Sequence, residues 1–329
     1  MRHLALRAQH GAAILTAMLT VVLVATLASA TLWQQWRSVE VEAAQRSRTQ
    51  SAWILTGALD WARLILREDA RKGGVDHLAE PWAVPLEEAR LSTFLAADRS
   101  NVQSGDEADD AFLSGQIVDL QSRLNVTNLV QSGEINAPSQ LAFARLFAVL
   151  NLPANELATM ADNLRRVQQA GAPASAQAGA PAIGDVPLSP HDVDQLAWVG
   201  LSAQTIAVLR PFITLLPAPT AVNLNTAPAE VIYACVEAFD MANAQALVRA
   251  RNISHLTLPG DAGKAGGNPA FKFDEKQHAV TSRYFEIRGN LRVGQTVVQE
   301  LSVVQREGQT SVKTLWRQRG VAVVAPPLQ

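Results

Sequence analysis

The sequence predicts an α+β fold: one long N-terminal helix packed on an antiparallel sheet, with a large all-helical domain inserted into that sheet. Three observations predict it. An uncharged apolar tract, Ala12 to Leu32, runs without proline into an amphipathic helical pattern that stops at Gly73-Gly74. The segment from Val130 to about His278 reads as mostly helical. From Thr281 the hydrophobic period switches to two, across SRYFEIRGNLRVG, QTVVQELSVVQRE and TSVKTLWRQ. Helices lying between a first strand and the last three are the signature of an insertion into a sheet.

Between Arg7 and Arg37 no residue carries a full charge, and Ile14, Leu15, Leu19, Val21, Val22, Leu23 and Val24 dominate. The tract has the length a helix needs to cross a hydrocarbon core of roughly 30 Å. Arg2 and Arg7 precede it, which places the N-terminus in the cytoplasm and the rest of the chain outside. A secretory signal peptide cut after Ala28-Ser29-Ala30 and a plain membrane anchor are two readings of it. Against the first, the apolar run exceeds the usual ~7–15 residues of a signal peptide, and the helical pattern continues past the cut. A third reading starts from QHGAAILTAML, Gln9 to Leu19. A glycine that ends a short basic leader, directly before an apolar helix, resembles the prepilin peptidase site of type IV pilins and pseudopilins. That resemblance implies cleavage between Gly11 and Ala12, with methylation of the new N-terminal amine. Most of that class carry glutamate at the fifth mature position, where this chain has Thr16. A carboxylate in the bilayer costs about 2.5–3.5 kcal/mol and persists only with a partner. Threonine, whose hydroxyl bonds its own helix, suits a subunit with no neighbour ahead of it.

The 28 basic and 30 acidic residues leave a net charge of -2, which argues against a dedicated nucleic-acid binder. The one cysteine, Cys235, excludes an intrachain disulfide framework and any multi-cysteine metal site. Lying in an apolar helical pattern, it reads as a buried, inert thiol.

Past the membrane, Trp53, Ala58, Trp61, Ala62 and Ile65 form an apolar stripe at helical spacing, with Asp69 continuing it and Arg71, Lys72 and the glycine pair ending the helix. Gly73 to Gly115 reads as a loop-rich connector with a short helix over Leu86–Ala97. It holds an acidic cluster, Asp98, Asp106, Glu107, Asp109 and Asp110, whose oxygens suit calcium but lack EF-hand spacing; a solvated acidic loop is the plainer alternative. Gln116 to Leu129 reads as the first strand. Helices follow at Ser139–Leu150 and Pro153–Gln169, then a flexible alanine-, glycine- and proline-rich run, Gln169 to Ala182. Ser189 is an expected N-cap with Pro190 in the first helical position. His191, Asp192 and Asp194 fall at spacings that favour capping and solvation over metal binding.

Val222 to Ile232, VNLNTAPAEVI, is the most distinctive soluble motif: Asn225 or Thr226 is positioned to cap a helix with Pro228 in its first turn and Glu230 favoured by the helix dipole. It is similar to the opening of helix-hairpin-helix DNA-binding modules. The place of their glycine-bearing hairpin reads Phe239-Asp240-Met241, and ALVRAR supplies only Arg249 and Arg251, so no nucleic-acid grip is expected. In the final strands Phe285 and Ile287 alternate with Glu286 and Arg288, and Val297, Leu301 and Val303 with Val298, Glu300 and Ser302; the apolar face is expected to close over the stem helix. Pro326-Pro327 ends the chain as a tail.

Taken together, GAAILTAML, SAWILTGALDWARLILRED, EPWAVPL, GQIVDLQSRLNVTNL, VNLNTAPAEVI and SRYFEIRGNLRVG resemble, in order and across nearly the whole chain, the K-type minor pseudopilins of type II secretion. The resemblance implies a leader over 1–11 and a stem whose transmembrane part is 12–32 and periplasmic part 33–72. A connector and first strand (73–130) then lead to an inserted, SAM-like helical domain (131–278), strands completing a pilin-like domain (279–319) and a tail (320–329). It implies a non-enzymatic role at the pseudopilus tip. The implied partners are I- and J-type minor pseudopilins, other pseudopilins, prepilin peptidase, the inner membrane and its secretion platform. Calcium is implied too, with no other cofactor required; Asp106, Glu107, Asp109 and Asp110 are its candidate ligands. A minor pilin of a type IV pilus, a membrane-anchored DNA-uptake protein and a periplasmic enzyme are the alternatives. The enzyme would need a convergent nucleophile and base, which the sequence pattern does not offer.

Overall fold

Helix α1 (His10–Lys72) runs 63 residues and belongs to both units into which the chain divides, Met1–Thr56 and Gly57–Gln329. The structure, a computed structural model, describes residues 10–91, 111–171, 186–294 and 296–323. In the first unit the apolar side chains from Ile14 to Leu32 are all exposed, on a helix long and apolar enough to cross a membrane. The polar groups of that tract are satisfied within it: Thr16, Thr20, Thr26, Ser29 and Thr31 donate their hydroxyls to carbonyls three or four residues back at 2.8–2.9 Å. This is what a solvent without hydrogen-bonding groups demands. Trp33 and Trp36 follow with ring centroids 5.4 Å apart, where an interfacial aromatic pair belongs.

In the second unit the last turns of α1 lie on a five-stranded antiparallel sheet of order β1-β2-β3-β4-β5: β1 (Leu86–Arg90), β2 (Ala111–Asp119), β3 (Tyr284–Val293), β4 (Thr296–Glu307) and β5 (Ser311–Val323). Leu59, Ala62 and Leu66 of α1 pack with Trp82, Phe285, Ile287, Val304 and Val312. The buried line is therefore displaced from the expected stripe. Ala62 is shared and Ile65 is partly buried at its margin, but Trp61 is 44% exposed, and Trp53 is exposed as well. The helix is held in this rotation by Arg63, whose Nε and Nη2 donate to the Val312 carbonyl at 3.0 and 2.6 Å.

Sheet pairing corrects several expectations. Leu86–Arg90 is an edge strand, not the start of a helix: Leu86 pairs with Gly115 and Arg90 with Phe112, and cross-strand bonding overrides the helix propensity of LEEAR. Leu91, the next residue, is helical and buried, and the rest of that expected helix lies outside the described residues. The strand expected at Gln116–Leu129 begins at Ala111 and ends at Asp119; beyond it Leu124, Val126, Leu129 and Val130 belong to the core of the helical domain, so that domain starts before residue 131. At the C-terminal end β5 carries the sheet to Val323, past the expected tail boundary. On β4 the register sets Val304 opposite Phe285 and Ser302 opposite Ile287, which places Val298, Glu300, Ser302 and Val304 on the α1 side. The side facing α1 is thus not the Val297–Leu301–Val303 row, because pairing register outranks local hydrophobicity when the period is two. The buried Glu300 on that face is paired with Arg317 and Arg319 of β5.

The insertion lies between β2 and β3, which are neighbours in the sheet. It contains α2 (Ala137–Val149), α3 (Ala154–Ala170), α4 (Ala203–Leu209), α5 (Ala229–Cys235), α6 (Met241–Ile253) and the short α7 (Ala262–Ala265) around Phe143, Leu146, Phe147, Met160, Leu209 and Ile232. Side-chain caps start three of these helices: Asn136 accepts from the Ser139 amide, Ser202 from Thr205, and Asp240 forms a capping box with Asn243. Ser189 caps nothing. The turn there is a 3₁₀ segment, Val193–Val199, that starts after Asp192, while Asp194 pairs with Arg210. Leu66→Ala is expected to lower the unfolding free energy by about 2–5 kcal/mol. Leu64→Ala, on the exposed side of the same turn, should cost no more than about 0.5 kcal/mol; urea denaturation of the purified protein distinguishes the two.

Candidate functional site

The densest cluster of buried polar groups among the described residues lies where the insertion leaves and re-enters the sheet, at the C-terminal end of α1. Gly73 and Gly74, at φ +67° and +123°, turn the chain out of the helix in backbone conformations that L side chains rarely adopt. Asp76 follows and is buried; its amide donates to the Val280 carbonyl at 2.9 Å. Arg306, near the end of β4, closes the corner. Its Nη1 meets Asp69 of α1 at 2.8 Å, its Nη2 meets both Asp76 oxygens at 2.5 and 2.6 Å and the Ser282 carbonyl at 2.7 Å, and its guanidinium lies 4.9 Å from the Phe285 ring centroid. One cation thus ties the stem helix, the connector and two strands. Oxygens of Asp69, Asp76 and Glu80 come within 4.8 Å of one another beside it. Arg306 supplies the counter-charge for the first two. Glu80 accepts from Trp82 Nε1 at 2.6 Å and the His77 amide at 3.0 Å, and burial, with Asp69 and Asp76 adding to it, pushes its carboxyl up to about 7.

A second node joins the insertion to the sheet. Asp119, the last residue of β2, is buried; its Oδ2 accepts from Asn223 Nδ2 at 3.0 Å and from the Ser282 and Thr226 hydroxyls at 2.6 Å each, and its Oδ1 accepts from the Gln121 amide at 2.7 Å. Burial raises its pKa to about 6 against the hydrogen bonds from Ser282, Thr226 and Gln121, with the neighbouring Asp76 charge adding to the rise. Asn223 also donates to the Asp76 carbonyl at 3.2 Å, so one side chain spans both nodes.

The motif VNLNTAPAEVI therefore does work other than the capping expected of it. Asn225 bonds both backbone groups of Leu256, at 2.8 and 3.0 Å, and Thr226 bonds Asp119; α5 begins after Pro228 with no side-chain cap. The polar side chains turn inward because the segment is clamped, Val222–Asn223 pairing in parallel with His278–Ala279. Arg251, one of the two basic residues after the hairpin, is buried and donates to the Leu224 carbonyl, out of reach of any phosphate. Cys235 is buried, and desolvation pushes its thiol up to about 12.

Of the residues singled out in the sequence, Gly11 and Ala12 lie within α1 and Thr16 bonds the Ala13 carbonyl. Asp106, Glu107, Asp109 and Asp110 lie outside the described residues. The residues that make the two nodes, Asp76, Asp119, Asn223, Ser282 and Arg306, were not singled out. Two of them, Asp119 and Arg306, have a sequence signal: a charge that ends an apolar strand pattern, QIVD and SVVQR.

Arg306→Met leaves Asp69 and Asp76 without their counter-charge and is expected to cost about 3–5 kcal/mol of stability in urea denaturation. The folded protein holds the Asp119 proton to a higher pH than the unfolded chain does. Its contribution to stability is therefore largest below about pH 4 and is lost as pH climbs through about 6. Denaturation series across that window should show a smaller fall in unfolding free energy for Asp119→Asn than for the parent.

Comparison with known proteins agrees with this architecture. Two family models described as type II secretion system (T2SS), protein K, match residues 122–218 and 222–280, two parts of the insertion on either side of residues 219–221. The type II secretion system protein K of Pseudomonas aeruginosa is 26% identical over 95% of this chain and 94% of its own length. A chain in the crystal structure of the GspK-GspI-GspJ complex from the enterotoxigenic Escherichia coli type 2 secretion system shares the fold, with a TM-score of 0.57 at 18% identity over 84% of this chain and 98% of that one. The membrane-length helix, the sheet interrupted between β2 and β3, and these matches show that the chain belongs to the protein K family of the type II secretion system, as a minor pseudopilin.

Proposed function

We propose that this minor pseudopilin sits at the tip of the type II secretion pseudopilus and starts its assembly with I- and J-type siblings, supporting export of folded proteins across the outer membrane. The observation that carries this reading is the placement of the insertion: its hydrogen bonds to Asp76 and Asp119 set it beside the C-terminal end of α1. A subunit carrying a domain there leaves no space for another to stack above it. Thr16, bonded to its own helix, needs no amine from a subunit ahead. The relative of similar fold was crystallised with GspI and GspJ, which supports siblings of those types as partners. The remaining partners in this reading are the other pseudopilins, prepilin peptidase, the inner membrane and its secretion platform. The chain works by interface chemistry and not as an enzyme; its one thiol is buried and held protonated. Calcium belongs to the proposal through the four hard carboxylate donors Asp106, Glu107, Asp109 and Asp110.

Intact mass and N-terminal sequencing of the protein recovered from membranes test the reading. The expected first residue is N-methylated Ala12, with I- and J-type subunits co-purifying. Thr31 as the first residue would mean that ordinary signal peptidase had removed the stem, and the tip assignment would go with it.

A further inference from the structure

Two imidazoles meet face to face on the surface of the joint. The rings of His77, in the connector, and His255, just after α6, are stacked with centroids 3.9 Å apart and planes 7° from parallel. Each ring is fixed by its chain neighbour. Asp76, before His77, has its backbone held by the Val280 carbonyl and Asn223; Leu256, after His255, has its backbone held by Asn225. Both asparagines come from the VNLNTAPAEVI motif. His77 Nδ1 accepts from the Ala79 amide at 3.3 Å, which requires a neutral ring with its proton on Nε2.

We infer that the His77–His255 stack is a pH-sensitive clasp between the connector and the inserted domain, closed while both rings are neutral and opened by protonation. A proton on His77 sets a donor against the Ala79 N–H, and a second proton on His255 puts two cations face to face. The charged groups around His77 are His255 from the segment after α6, Asp69 from α1, Asp76 and Glu80 from the connector, and Arg306 from β4. Asp69 and Asp76 favour the imidazolium, but both already face Arg306. Desolvation and then His255 prevail, and His77 titrates below the ordinary histidine value. A histidine with a lowered pKa contributes stability that is present above its unfolded value and lost as pH falls. The buried Asp119 node has the opposite sign and strengthens as pH falls. Acidification therefore releases the clasp while the inner joint holds, loosening one edge of the insertion without detaching it.

Hydrogen–deuterium exchange on the full-length protein in detergent, corrected for the intrinsic pH dependence of exchange, tests this at about pH 7.5 and about pH 5. In the parent, peptides covering 77–80 and 254–257 should exchange about tenfold faster at the lower pH, with peptides of α5 unchanged. His255→Gln and His77→Gln should each abolish that step, and Glu80→Gln should retain it. A parent without the step, or a step that survives in both histidine variants, would overturn the inference.

Discussion

The structure depends on one corner in which charges are held out of water. Arg306 is nearly buried, and its two carboxylate partners come from different elements: Asp69 from the last turns of α1 and Asp76 from the connector beyond the glycine pair. A guanidinium is suited to this place because its planar fork can bond several oxygens at once without losing its charge. The gain over a well-packed apolar corner is small, since desolvating the charges offsets much of their attraction. What the pairing supplies is geometry. It sets where α1 ends relative to the sheet and where the chain turns, and so where the insertion is attached.

Asp119 extends that logic to the insertion. A carboxylate buried at the end of β2 is stable only because donors from Asn223, Thr226, Ser282 and Gln121 converge on it. The Gln121 amide is local, but Asn223 and Thr226 come from the helical domain and Ser282 from the segment leading into β3, so those three hydrogen bonds form only when the insertion is docked. The helical domain is thereby joined to its sheet by directional bonds as well as by the apolar contact of Leu216 with Leu120, Tyr284 and Val303.

The elements whose pattern is local were legible before the structure. The apolar tract, the glycine stop after α1, the helices of the insertion and the β3–β4 and β4–β5 turns all announce themselves within a few residues of sequence. The stripe on α1 was legible only as a region. Trp61 and Leu66 are both large and apolar, and which of them is covered depends on Arg63 reaching the Val312 carbonyl across the sheet. LEEAR reads as helix on propensity and becomes a strand because β2 offers it an edge. Asn225 and Thr226 look like capping residues in the sequence because a cap is the nearest local partner for such a side chain; their partners in the fold are Leu256 and Asp119.

Local pattern is enough to establish a membrane-length helix near the N-terminus, a helical domain interrupting a sheet and a fold without an intrachain disulfide. These follow from hydrophobic period, residue count and turn chemistry, which act over one or two turns of chain. Which face of α1 is buried, which row of β4 faces it and which polar groups form the joint are settled by long-range packing. Those outcomes depend on strand register and on side chains such as Asn223 and Asp119, more than a hundred residues apart in the chain, whose partners no local pattern specifies. A buried polar group is costly until its last partner arrives, so its place is set by the assembled fold and not by its neighbours in sequence.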